Sequence, residues 1–136
     1  MGLVFDDAEF DGQLQRAISK AYERCSDIGE CLATARRIEQ SDYDSWYDQW
    51  SATAEKTQQA AETLKAAGHA MSAREAYLRA CEYYRSAYFF RRSDLEDPKL
   101  LAASKGVLQG CGHALRAPLR GRGDTVRWDY PLGLLP

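Results

Sequence analysis

Apolar residues recur along this chain at helical spacing, and two long runs of them dominate it. Between Tyr43 and Arg92 the pattern predicts two long helices separated by a short break at Gly68–Met71. In the first, Trp46, Trp50, Ala54, Thr57, Ala61 and Leu64 follow a 4, 4, 3, 4, 3 spacing, which keeps them on one face. Ser41 with Asp44 offers an N-terminal cap, and Gly68 a left-handed C-terminal stop. In the second, Ala73, Ala76, Tyr77, Ala80, Tyr84, Ala87 and Tyr88 form the stripe, and Ser72 with Glu75 reads as a capping box. Leu78, Tyr83, Phe89 and Phe90 lie off that stripe. A helix apolar on more than one side needs more than one neighbour.

Shorter runs flank this pair. Residues 7–25 predict a helix with Phe10, Leu14, Ala17, Ile18, Ala21, Tyr22 and Cys25 on one face. Asp27 and Glu30 cap a short helix whose stripe is Ile28, Cys31, Leu32, Ala35 and Ile38, with Arg36 and Arg37 at the end where the dipole favours cations. Asp97-Pro98 starts another helix, since proline at the first helical position loses no needed amide. Its stripe reads Leu101, Ser104, Leu108, Cys111 and Leu115, and Gly106, Gly110 and Gly112 weaken it by about 1 kcal/mol each relative to alanine. After Ala117 the chain turns to Pro118, Gly121 and Gly123, and then Val126, Trp128 and Tyr130 alternate at the strand period. The expected fold is all-α, a hairpin-based bundle of about five helices over 1–116, with a linker and a short strand or extended segment over 117–136.

Composition narrows the classes. The 136 residues make one domain at most, with 45% hydrophobic and 28% charged residues and a net charge of −2. That balance gives no general electrostatic pull on nucleic acid. No apolar run has membrane-spanning length, and MGLVFDDAEF lacks the pattern of a secretory signal. The expected location is the cytoplasm. Cys25, Cys31, Cys81 and Cys111 match no zinc spacing, and without a signal they are expected as small buried residues at helix contacts rather than as disulfides.

No motif supplies a catalytic apparatus: there is no nucleophile elbow, phosphate loop, dinucleotide fingerprint or zinc-helix pattern. His69 reads as a helix-end cap and His113 as structural or solvated. Trp46 with Trp50, and Tyr83 with Tyr84, could line an apolar cavity, although core packing suits them better. Arg116, Arg120, Arg122 and Arg127 read as a solvated linker, and Arg122-Gly123-Asp124 as a chance tripeptide. A tetratricopeptide array would need a 34-residue repeat, and no second copy occurs.

Four stretches do carry a resemblance. DIGECLATARRI (27–38), SDYDSWYDQW (41–50), GHAMSAREAYLRACEYYRSAYFF (68–90) and DPK (97–99) resemble the N-terminal helical region of a group of α/β-hydrolases. The group includes fermentation-respiration-switch-like esterases, dihydroxypseudooxynicotine C–C hydrolases and fungal enzymes that shorten polyketide chains. The resemblance covers about residues 27–130, and TVRWDYPLGLLP is similar to the entry into the first strands of the hydrolase domain.

This resemblance implies a helical cap that packs over the active site of a following sheet, the serine, acid and histidine all lying downstream of it. No catalytic residue, cofactor or metal ligand carries over. Trp46, Trp50, Tyr83, Tyr84, Phe89 and Phe90 become expected pocket-lining or interface positions. The implied partner is the catalytic domain, in cis in full-length members, or a second copy of this chain, whose α/β-hydrolase sheet would be missing. A stand-alone helical interaction module, tetratricopeptide-like, and a small helical ligand-binding protein stand as alternatives.

Overall fold

The computed structural model describes residues 2–116, and all of the secondary structure described there is helical. The linker and strand expected over 117–136, with Arg120, Arg122 and Arg127, lie outside the described residues. In order come α1 (Ala8–Ser19), a 3-10 turn (Lys20–Glu23), α2 (Ile28–Ala35), α3 (Tyr43–Ala66), α4 (Ala70–Tyr88), a second 3-10 turn (Phe89–Arg91) and α5 (Pro98–Arg116).

Aspartates start four of the five α-helices. Asp7 accepts from the amides of Glu9 and Phe10 at 2.9 and 3.2 Å, and Asp27 from Glu30 at 2.9 Å. Asp42, not Ser41, caps α3, accepting from Asp44 and Ser45 at 2.9 and 3.0 Å. Ser41 sits in the left-handed region at φ 57° and donates its hydroxyl to Asp7 instead. Asp97 accepts from Lys99 at 2.8 Å at the start of α5.

The Ser72–Glu75 box expected for α4 does not form. The helix begins a turn earlier, with His69 at its N-cap and no side-chain cap. The reason is the way α3 ends. Gly68 takes φ +83°, its amide bonds back to Lys65, and the His69 amide bonds to Leu64 at 2.9 Å. This closing motif leaves only three residues, 67–69, between the helices. Ser72 is therefore already inside a helix, and Glu75 is free to pair with Arg24 at 2.8 Å.

α4 is the central element, packed on α3 along one side and on α5 along another. A large core joins Phe5, Phe10, Leu14, Cys31, Trp46, Trp50 and Tyr83 with alanines 17, 54, 87 and 103. A second cluster of Ala61, Ala73, Ala76, Tyr77 and Ala114 continues it toward the hairpin end. The N-terminal segment is drawn in by Asp11, a buried carboxylate on α1. It accepts from the amides of Leu3, Val4 and Phe5 at 2.9, 2.9 and 3.1 Å and from Gln15 at 2.7 Å, which seats Phe5 in the core.

The buried face of α5 is not the expected one. Leu100, Ala103, Gly106, Gly110 and Ala114 face inward, whereas Leu101, Leu108 and Leu115 are 51%, 74% and 82% exposed. Large aromatic side chains on α4 already fill the contact, so α5 must present small ones. A Cβ on Gly106 would lie 2.7 Å from the Tyr84 ring, and one on Gly110 would lie 3.2 Å from the Tyr77 carbonyl. The two glycines, four apart, are where the helices approach most closely.

Cysteine usage also departs from expectation. Cys81 on α4 and Cys111 on α5 are joined as a disulfide, leaving Cys25 half-buried and Cys31 buried as free thiols. The pair meets at this same contact, where Gly110 brings the α5 backbone down onto Cys81.

Candidate functional site

The six aromatic positions divide by depth. Trp46, Trp50 and Tyr83 are fully buried, and Tyr84, Phe89 and Phe90 are half-buried. Trp46 donates its indole N–H to the Ser86 carbonyl at 2.8 Å, across the α3–α4 hairpin. Its ring meets Phe5, Phe10, Trp50 and Phe90 at centroid distances of 6.0, 5.0, 5.8 and 5.1 Å. Phe90 also stacks on Phe10 at 4.9 Å, and Tyr83 lies 5.6 Å from Trp50. Of the four apolar residues off the main stripe of α4, Phe90 is covered by α1 and the start of α3, and Tyr83 by α3. Phe89 is covered mainly by the Arg92 guanidinium, 4.0 Å from its centroid.

Tyr83 organises the neighbouring polar region. Its hydroxyl donates to Glu30 at 2.5 Å and accepts from the Asp27 amide at 2.9 Å, pinning the start of α2 to α4. Burial, then the hydrogen bond to Glu30, pushes the phenol well above its ordinary range, so it stays protonated as a donor. Arg79 reaches the same Glu30 oxygen at 3.3 Å. Beyond this trio a cleft of about 180 Å³ opens between α2, α3 and α4, lined by Glu30, Thr34, Arg37, Thr53, Lys56 and Arg79 among others.

A relay of hydrogen bonds runs along the cleft. Thr34 Oγ1 donates to the Glu30 carbonyl at 2.7 Å. That leaves Thr53 Oγ1 as the donor in the 2.7 Å contact between the two hydroxyls. Thr53 in turn accepts from Arg37 Nη2 at 3.0 Å. Arg37 also donates from Nε to Gln49 at 2.9 Å and from Nη1 to the Ala33 carbonyl at 3.0 Å. No periodicity signals this arrangement; only Arg37 at the helix C-terminus was conspicuous in the sequence.

Among the described residues the two free thiols are held in their unreactive protonated form. Burial pushes the Cys31 thiol up to about 12 and also raises Cys25. His113 stacks on the Tyr77 ring at 4.7 Å. Among the described residues no group of three or more His, Cys, Asp or Glu is placed to hold a metal ion, and no helix is long and apolar enough to cross a membrane.

Comparison with known proteins adds the remaining observation. Over 105 residues the chain is 39% identical to the 20-hydroxy-prefusarin hydrolase FUS2 of Gibberella moniliformis (strain M3125 / FGSC 7600), covering 77% of this chain and 25% of that protein. Over 104 residues it is 35% identical to the hydrolase LUC6 of Fusarium sp, covering 76% and 25% respectively. Over 86 residues it is 37% identical to the alpha/beta hydrolase xenA of Xenoacremonium sinensis, covering 62% and 20%. No family model matches the chain, and no solved structure matches it with significance. The chain thus spans about a quarter of the length of the curated relatives it matches. Over that helical quarter it belongs to the α/β-hydrolase family.

Proposed function

We propose that this chain is the helical cap segment of an α/β-hydrolase, non-catalytic by itself, which lies over the active site of a catalytic domain and shapes substrate choice. The observation that carries the reading is the match to one helical quarter of several hydrolases. Acyl transfer needs a nucleophile, a base in hydrogen-bond reach and oxyanion donors. The thiols are raised and His113 is stacked, so these residues offer poor candidates for that role.

The surface that meets the catalytic domain is best assigned to α5 and the turn before it. Leu101, Leu108 and Leu115 form an exposed apolar line, and Phe89 lies half-buried at the end of α4. The occupant is the remaining three-quarters of such a hydrolase, the portion of the relatives that this chain does not match. In the isolated chain a second copy could cover the same line. Trp46, Trp50 and Tyr83 act on the pocket from behind, by setting the spacing of the cap helices. A cytoplasmic location would leave Cys81 and Cys111 resting as two thiols at the α4–α5 contact.

The test is a graft. The matching quarter of FUS2 or LUC6 is replaced by residues 1–116, and kcat/KM is measured over a series of esters of graded acyl length. The expected result is a folded, active chimera whose preference along the series differs from the parent's. An unchanged preference profile refutes a role in substrate choice. Saturable ester turnover by the isolated chain, surviving repurification and abolished by a serine-reactive phosphonate, refutes the non-catalytic reading.

A further inference from the structure

We infer that the cleft between α2, α3 and α4 is a binding site for a short-chain carboxylate, gripped by Arg37 and Lys56. The reading of the chain as a cap does not require such a site. Arg37 is exposed, yet its guanidinium is fixed by three neutral acceptors: Gln49, Thr53 and the Ala33 carbonyl. Among the described residues no carboxylate pairs with it, and none pairs with Lys56. Arginine carries five N–H donors. Three are used here, leaving one on each terminal nitrogen, which suits the two oxygens of a carboxylate.

The bland alternative is that Arg37 only ties the end of α2 to α3. That role explains the hydrogen bonds to Ala33, Gln49 and Thr53. It does not account for a second cation, Lys56, on the same cleft, with no carboxylate paired to either among the described residues. The wall carries three cations, Arg37, Lys56 and Arg79, against the single carboxylate of Glu30. Glu30 is itself occupied by Arg79 and the Tyr83 hydroxyl, which damps its repulsion of an incoming anion. The buried threonine hydroxyls are satisfied internally, so the floor does not demand a water-like donor. Ala33 and Ala60 supply an apolar wall for a short alkyl tail. At about 180 Å³ the cleft falls below the roughly 300–1,000 Å³ of drug-sized pockets, so the ligand is small.

The test uses the full 136-residue chain, labelled with nitrogen-15, titrated with sodium acetate and, at equal ionic strength, with sodium chloride. The expected result is a saturable shift of the Thr34, Thr53 and Thr57 amides and of the Arg37 Nε–H with acetate alone. Arg37→Gln and Lys56→Gln are each expected to weaken binding by about tenfold or more, the scale of one charge-assisted hydrogen bond. Lys56 is exposed and makes no ion pair among the described residues, so its variant keeps the test valid if Arg37→Gln disturbs α2. Linear shifts equal in acetate and chloride overturn the site, as do saturable shifts that survive both substitutions. Inorganic phosphate competing as well as acetate overturns the assignment to a carboxylate.

Discussion

Two glycines of α5 should respond to the same substitution with opposite signs. An alanine Cβ at Gly112 meets nothing within 4 Å, so Gly112→Ala should gain the helix-propensity difference, about 1 kcal/mol. At Gly106 the same Cβ would sit 2.7–2.8 Å from three atoms at the root of the Tyr84 ring, against 3.4 Å or more for ordinary contact. Those atoms are not a free end that can swing away, so α5 or the tyrosine must retreat by several tenths of an ångström. Overpacking of this kind costs about 1–3 kcal/mol. Set against a gain of about 1 kcal/mol, Gly106→Ala should destabilise by roughly 1 kcal/mol. In a Tyr84→Ala background the clash is gone, and Gly106→Ala should become stabilising. Urea unfolding followed by far-UV circular dichroism gives all four corners of the cycle, with an expected coupling of about 1–3 kcal/mol. If Gly106→Ala stabilises as much as Gly112→Ala, the close approach of α4 and α5 is refuted.

Other outcomes follow from single features. Asp11 is held below the ordinary carboxylate range chiefly by the amides of Val4 and Leu3, so its contribution is complete above its unfolded pKa of about 3.9. It is lost as pH falls through the lower folded value; the stability gap between the parent and Asp11→Asn should shrink from pH 5 downward, and a gap independent of pH contradicts the assignment. Tyr83→Phe removes the link between Glu30 and the Asp27 amide and should cost about 1–3 kcal/mol in the same urea assay. Thiol titration of the unfolded, unreduced chain should find two free cysteines, and a count of four contradicts the Cys81–Cys111 pair. Leu108→Ser should reduce hydrophobic-dye binding or self-association of the isolated chain without loss of helical signal, whereas Phe90→Ser, aimed at a stacked ring, should weaken the fold.

The helices were legible because each carries its own period. Trp46, Trp50 and Ala54 point inward as their spacing requires, and Asp27 before Ile28 and Asp97 before Pro98 cap where expected. Ser72 misled because a capping box is a local signal, and the preceding helix, closed tightly at Gly68, had already decided where α4 begins. The ties that hold the elements to one another were not legible. Tyr83 and Glu30 are 53 residues apart, and the partners of Asp11 are backbone amides that carry no side-chain signature. The resemblance to hydrolases came from short stretches of identity, and so did not depend on reading those ties.

α5 shows where a hydrophobicity pattern can be read correctly and still assigned to the wrong face. Leu101, Leu108 and Leu115 repeat every seven residues, which drifts by only ~20° per repeat on a straight helix. They make a line about 21 Å long. Periodicity says that such a line is to be buried, but not against what. Within the described residues α4 takes the opposite face, where the Tyr84 ring lies against Gly106 and the backbone at Tyr77 and Cys81 lies against Gly110. Burying one leucine is worth about 1.5–3 kcal/mol. A bundle stable only by itself would gain by turning this helix to bury more of its leucines than Leu100 alone. It instead keeps these three outside, with Leu100 the one leucine among the alanine and glycine within. That choice is physically reasonable when both faces of α5 have partners, one in these helices and one in the larger part of the hydrolases that this chain does not match.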